Sequence, residues 1–128
     1  MSNNNLDLLT KLAEAWNTLS VSPLDVVFDE NVVYESQWVF STLNGKQSVL
    51  NYLEGKFSTI GTKAAKGSVE AKIGFLDGDP EQPCILLTQK AGDEIQKVSI
   101  LIETVDSLIT RIDLCGIPEP ERIKTDIQ

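Results

Sequence analysis

The fold is decided by residues 68–115, which read SVEAKIGFLDGDPEQPCILLTQKAGDEIQKVSILIETVDSLITRIDLC. Four stretches rich in β-branched and apolar residues, 68–76, 83–90, 95–105 and 108–115, are separated by short runs of Gly, Asp, Ser and Pro. Runs of this kind form tight turns, so each strand should pair with the next in antiparallel orientation. The stretch therefore predicts a four-stranded antiparallel meander.

The residues before this stretch change to a helical period. Apolar residues recur at three- and four-residue steps over 6–19, which predicts a first helix. A Ser-Pro pair begins a short second helix predicted over 22–31, and a strand is predicted over 32–40. A third helix should begin at an Asn N-cap and end at Gly, over 44–61. The fold class is α+β, with three N-terminal helices packed on a sheet.

Length and charge restrict the possible functions. The 128 residues suit one domain, 1–128, in which the Pro-containing segment 117–128 is expected to extend outside the core. A formal charge of −8 argues against nucleic acid and anionic lipid as partners. No apolar run approaches the roughly 18 residues of a membrane span, and the first residues do not resemble a signal peptide. We expect a cytoplasmic protein.

The titratable residue types exclude several chemistries. The chain has no histidine, which excludes Ser/His/Asp and Cys/His nucleophile arrangements and the common zinc sites. Cys84 and Cys115 lie within apolar stretches, where a thiol usually packs as a small hydrophobic group. We expect neither a metal nor a cofactor.

Three segments carry a family resemblance. Residues 28–36, FDENVVYES, and 44–53, NGKQSVLNYL, resemble the nuclear transport factor 2-like superfamily and its SnoaL-like branch, and 107–114, SLITRIDL, resembles its last strand. The resemblance implies a cystatin-like cone, in which helices close over a strongly curved, mainly antiparallel sheet and leave a cavity at the wide end. Members include ketosteroid isomerases, polyketide cyclases, dehydratases and modules without chemistry, so the fold places a site without defining its reaction.

The catalytic residues of those enzymes do not carry over. Ser36 occupies the position at which isomerase and cyclase relatives place a carboxylate base, and a neutral hydroxyl cannot accept a proton from carbon without a partner base. The dehydratase chemistry needs a histidine. Glu35 should point away from the cavity unless a bulge reverses the strand, which leaves it as a weak candidate base.

Aromatic residues suggest where a ligand would lie. Tyr34 and Trp38 flank Ser36 on one strand face, so they would form an apolar wall with hydroxyl and indole donors. The alternative is that the aromatic rings simply belong to the core. The predicted ligand pocket, between the first helix, the first strand and the third helix, comprises Trp16, Tyr34, Ser36, Trp38, Phe40, Phe57, Phe75 and Arg111.

The last hairpin supplies two charged candidates. If 106–107 form a two-residue turn, Ile102 lies opposite Arg111 and Ile100 opposite Asp113. The two charges would then line the cavity, Asp113 as an acid or base and Arg111 as a clamp for an anion or carbonyl. The alternative is that they lie on the outer sheet face, in a dimer interface or in water.

Three functions stay open at this stage. The preferred one is a small-molecule-binding domain that encloses an apolar ligand. The second is a cofactor-independent isomerase, cyclase or dehydratase, in which Asp113 or Glu35 is the base and Tyr34 donates to an oxyanion. The third is a dimerisation module with a filled cavity. A homodimer is expected under all three, because the sheet has more apolar positions than three helices can cover.

Overall fold

The computed structural model describes residues 3–36, 41–63, 69–91, 94–115 and 120–125. Within these residues the chain forms two α-helices, two 3₁₀ turns and seven strands. The helices are α1 (Asn3–Thr18) and α2 (Lys46–Lys63), and the 3₁₀ turns are Ser22–Leu24 and Pro120–Arg122. The strands are β1 (Phe28–Ser36), β2 (Leu43–Asn44), β3 (Val69–Leu76), β4 (Pro83–Ala91), β5 (Glu94–Val105), β6 (Leu108–Cys115) and β7 (Ile123–Lys124).

The strands form one sheet in the order β2-β1-β6-β5-β4-β3-β7. The meander predicted from the turn signals is confirmed, since β3, β4, β5 and β6 pair successively in antiparallel orientation. β1 pairs parallel to β6, with Tyr34 beside Ile112 and Ser36 beside Leu114. This parallel pairing places β1 next to the strand that ends the meander.

Both helices cover the same face of the sheet. α1 contacts β3, β4 and β5, and α2 contacts β1 and β2. Leu12 and Trp16 of α1 and Leu53 of α2 are almost fully buried, because the helical period places the apolar residues toward the sheet. The α+β cone with a curved, mainly antiparallel sheet is confirmed.

The predicted second helix is wrong in its length. Only Ser22–Leu24 forms a 3₁₀ turn, and the chain enters β1 at Phe28. The Ile109 amide donates to the Val27 carbonyl at 2.7 Å, so the segment after the turn is already tied to β6. A pairing partner 82 positions away in the chain thus replaces the local helical hydrogen bonds that Ser22 and Pro23 favour.

The C-terminal residues join the sheet, although the sequence placed them outside the core. We call Pro120–Thr125 the C-terminal strap. Its β7 pairs with β3, the Ile123 side chain is only 6% exposed, and its 3₁₀ turn contacts β5. The Ile73 side chain packs on the core, so the next residue, Gly74, faces away from the helices. A Cβ atom on Gly74 would meet the strap, which therefore lies on the face opposite the helices.

An ion pair fixes the strap to the turn after β3. The Arg122 guanidinium donates to both carboxylate oxygens of Asp77, at 3.0 Å from Nε and 2.6 Å from Nη2. The Asp77 amide in turn donates to the Arg122 carbonyl at 2.7 Å. The hydrogen bond from Arg122 lowers the pKa of the Asp77 carboxyl, so the pair stays charged to a lower pH than a free aspartate would allow.

Asn17 completes the hydrogen bonding of the β3 edge. Its amide donates to the Ala71 carbonyl at 2.9 Å and accepts from the Ala71 amide at 2.8 Å, as a neighbouring strand would. Asn17→Ala should lower the free energy of unfolding by about 1–2 kcal/mol, since water can replace these two bonds only in part. Urea denaturation measures the loss. Thr18→Ala, which removes only a bond within α1, is the control, and an equal loss there would contradict the edge role.

Candidate functional site

Tyr34 and Ser36 lie side by side on the face of β1 that the helices cover. Both side chains are buried, whereas the intervening Glu35 is exposed on the other face. The alternation of a strand predicts this arrangement, and β1 has it without a bulge between Val33 and Ser36. The two hydroxyl groups therefore share one surface with the core.

The Tyr34 hydroxyl is buried without a hydrogen-bond partner of normal geometry in the described part of the chain. Burial and the neighbouring Tyr52 raise the pKa of the Tyr34 hydroxyl far above its usual value, and a weak hydrogen bond with the Ser36 side chain offsets only part of that rise. The phenol therefore stays protonated at neutral pH and can donate a hydrogen bond. An unsatisfied buried polar group costs about 1–3 kcal/mol, so few proteins retain one without cause.

Two aromatic pairs connect the helices to this face. The Tyr34 and Tyr52 rings lie 5.3 Å apart at 50°, which joins α2 to β1. The Trp16 and Phe57 rings lie 5.0 Å apart at 70°, an edge-to-face pair that joins α1 to α2. Trp16 and Phe57 are both buried, so in the structure they pack as core residues between the helices.

The structure does not bring all predicted pocket residues together. Phe75 is half-buried on β3 and is separated from β1 by β4, β5 and β6. Trp38 and Phe40 lie outside the described residues, so the wall predicted from Tyr34 and Trp38 stays a prediction.

The predicted register of the last hairpin is wrong by one residue. Residues 106–107 do form the two-residue turn, but a bulge at Thr110 inserts one extra residue into β6. Arg111 consequently pairs with Glu103, and Asp113 pairs with Leu101. A shift of one residue exchanges the two faces of a strand, so both charges move to the face away from the helices.

The outer face carries an ionic cluster. Arg111 donates from Nε to both oxygens of Asp113, at 3.1 and 3.2 Å, and forms a close ion pair with Glu35. These contacts raise the pKa of Arg111, with Asp113 as the main cause. The side chains are 34%, 31% and 50% exposed for Arg111, Asp113 and Glu35. Neither candidate carboxylate is on the face of Tyr34.

The sequence interpretation did not single out two partly buried residues of α2. Tyr52 was not assigned to the pocket, although its ring contacts Tyr34. Lys56 follows it by one helical turn and is half-buried, and burial lowers the pKa of its ammonium group. The spacing of 52 and 56 on a well-predicted helix was the available signal, because residues four apart lie on the same side.

A separate open groove of about 290 Å³ lies at the other end of the sheet. It is lined by Val69, Glu70, Thr88 and Lys90 of β3 and β4. Among the described residues we find no group of side chains suited to bind a metal. The helices within the same ranges include none long and apolar enough to cross a membrane.

In the described ranges, two helices cover one face of a curved, seven-stranded sheet. This is the nuclear transport factor 2-like fold, and comparison with solved structures confirms it. An NTF2-like protein of unknown function from Mesorhizobium loti has a TM-score of 0.68 at 10% identity, over 89% of this chain and 91% of that one. No family model and no curated protein matches the chain.

Proteins with enzyme names share the same fold. A ketosteroid isomerase-like protein from Kribbella flavida has a TM-score of 0.62 at 18% identity, over 88% of this chain and 76% of that one. An LEH-like epoxide hydrolase from M. tuberculosis has a TM-score of 0.60 at 18% identity, over 88% and 81%. At these identities the likeness establishes the fold alone.

Proposed function

We propose that this chain binds a small, largely apolar molecule against the Tyr34–Ser36 face of β1, with the Tyr34 hydroxyl as its polar anchor. The observation that carries the proposal is the buried hydroxyl of Tyr34, which lacks a partner of normal geometry among the described residues. A ligand oxygen that accepts from this phenol would offset its cost of burial. Ligand sites of this kind combine an apolar lining with a few donors.

The surroundings support an apolar ligand. On the neighbouring strand β6, the buried residues beside Tyr34 and Ser36 are Ile112 and Leu114. Helix α2, which contacts β1, contributes the buried residues Val49 and Leu53. Apolar walls of this type favour a ligand with a hydrocarbon body. The names of the isomerase-like and epoxide hydrolase neighbours indicate that the fold is compatible with small organic molecules.

Binding without turnover is the better supported function. The enzyme alternative used Asp113 or Glu35 as the base, and both lie on the opposite face, held by Arg111. Glu30 of β1 pairs with Lys46 at the start of α2, but its side chain is 84% exposed. Beside Tyr34 and Ser36, the described carboxylates of β1 and β6 lie on the outer face. A catalytic base must contact the same ligand as the Tyr34 donor. Asp113 and Glu35 cannot do so, because the sheet separates them from Tyr34.

The homodimer stays a prediction. The argument for it, that the sheet has more apolar positions than the helices can cover, is weaker in the structure. The strap covers part of the outer face, where the Ser99 side chain is buried. The large apolar side chains that are exposed within the described ranges are Val26, Ile95 and Val105. Ile95 and Val105 lie at opposite ends of β5, and Val26 adjoins Val27, which bonds Ile109 near the Val105 end.

Tyr34→Phe separates binding from folding. We expect the melting temperature to stay the same or rise, because the variant removes an unsatisfied buried group worth about 1–3 kcal/mol. Affinity for oxygen-bearing hits from a thermal-shift screen of alicyclic and aromatic ketones and acids should fall by about tenfold or more.

Tyr52→Phe is the matched control for stability, since its half-buried hydroxyl should cost less than about 0.5 kcal/mol to remove. A large loss of stability in Tyr34→Phe would mean that the hydroxyl is bonded within the protein. Such a loss, together with unchanged affinity for every hit, would overturn the proposal.

A further inference from the structure

The groove between β3 and β4 lies on the face of the sheet opposite the helices. Ala71 and Leu87 pair across these two strands, and both belong to the buried core. Successive side chains of a strand alternate between its faces, so the neighbouring pair, Glu70 and Thr88, points away from the helices. The groove therefore lies on the other face from Tyr34, with β5 and β6 between them.

A short side chain among longer ones forms this groove. Thr88 pairs with Glu70 on β3 and with Lys97 on β5, and Lys90 follows it on the same face of β4. Thr88 is half-buried, whereas the three charged residues around it are exposed. Val69 completes the lining on the β3 side. The volume of about 290 Å³ admits only a small organic molecule.

The groove is lined by polar groups of three kinds. Glu70 supplies a carboxylate, Lys90 an ammonium group and Thr88 a hydroxyl. Glu70 and Lys90 are placed diagonally across the two strands, a separation of roughly 7–8 Å between residues. The ion pairs of the described ranges include neither of them. Opposite charges thus flank the groove without meeting across it.

We propose that this groove binds a free amino acid, whose carboxylate binds the Lys90 ammonium and whose ammonium binds the Glu70 carboxylate. An amino acid carries both groups on one carbon. With a charge-assisted hydrogen bond of about 2.8 Å at each end, it spans roughly the separation of the two residues. The Thr88 hydroxyl can donate to the ligand carboxylate, and Val69 favours an apolar side chain. This binding is independent of the proposed function, which concerns the other face of the sheet.

The competing arrangement is two solvated charges on an exposed part of the sheet. Exposed charges gain little from pairing, so neither residue needs a partner to be stable on a surface. In that case a simple acid and a simple amine would bind as weakly as an amino acid. The two arrangements differ in whether one molecule must carry both charges.

The test follows the backbone amide signals of the full-length protein by NMR during titration with L-valine. Two matched compounds each lack one charge, since isovalerate has no ammonium group and isobutylamine has no carboxylate. L-valine should shift the amides of the groove, with a dissociation constant in the millimolar range that suits exposed charges. Each matched compound should bind at least about fivefold more weakly.

Glu70→Gln and Lys90→Met should each weaken the binding of L-valine by about fivefold, because each removes one charge at nearly constant size. Isovalerate should respond only to Lys90→Met, and isobutylamine only to Glu70→Gln. Glu14→Gln and Lys11→Met, on the exposed side of α1, are the matched controls and should have no effect.

The outcomes distinguish this groove from the Tyr34 face. If L-valine shifts no amide of the groove, or if isovalerate or isobutylamine binds as tightly as L-valine, the amino acid proposal is overturned. Unchanged affinity for L-valine in either Glu70→Gln or Lys90→Met overturns it as well. Tyr34→Phe should leave the affinity for L-valine unchanged, and a loss there would assign the binding to the other face instead.

Discussion

Gly74→Val should release the C-terminal strap and lower the free energy of unfolding by about 3 kcal/mol or more. A Cβ atom at this position would collide with the Ile123 side chain, and would lie 3.0 Å from both the Lys124 carbonyl oxygen and Thr125 Cγ2. Ile123 is β-branched and Lys124 contributes backbone, so neither can move aside without the strap moving. The loss combines strain with exposure of the buried Ile123 side chain.

Gly55→Val is the matched control. Gly55 lies on the exposed side of α2, and an added Cβ would have no neighbour within 4 Å. The free energy of unfolding should change there by less than about 0.5 kcal/mol, since valine is a slightly better helix former than glycine. Urea denaturation of the two variants gives the comparison.

Cys84 reports directly on the position of the strap. It pairs with Gly74 on the neighbouring strand, and burial raises the pKa of its thiol to about 11. In a Cys115→Ser background, Gly74→Val should therefore make Cys84 react with a thiol reagent much faster under native conditions. Unchanged reactivity together with unchanged stability would show that the strap does not depend on the glycine.

The strap illustrates why part of the fold could not be predicted. β7 has only two residues, too few for any periodicity to be visible. Its place is fixed by the space left at Gly74 and by Asp77, which lie about fifty and forty-five positions earlier in the chain. The bounds of β6, in contrast, were predicted correctly as Leu108–Cys115, because alternation and turn residues are local signals.

The faces of β6 show the same limit within one hairpin. Asp106 and Ser107 both have positive φ, 53° and 66°, as the predicted two-residue turn requires. The bulge three residues later left no mark in the sequence, although the Thr110 hydroxyl bonds the Glu103 carbonyl at 3.1 Å in the structure. One extra residue was enough to move Arg111 from the predicted pocket to the outer face.

Trp16→Ala should lower the free energy of unfolding by about 3–5 kcal/mol, the cost of removing a large ring from a filled core. Trp16 is 1% exposed, and its ring meets Phe57 edge to face in the gap between the two helices. If this gap were a ligand pocket, as the sequence suggested, the Trp16 ring would contribute less to the free energy of unfolding. Ligand affinity would then fall instead.

Thermal and urea denaturation of Trp16→Ala, Phe57→Leu and the double variant separate these possibilities. A core pair should show a coupling energy of about 0.5–1.5 kcal/mol, and Trp16→Phe should recover most of the stability. Negligible coupling, with a loss below about 1 kcal/mol for Trp16→Ala, would instead place the ligand between α1 and α2. Because Trp16 and Tyr34 contact different residues of α2, Phe57 and Tyr52, the result also decides which side of α2 the ligand occupies.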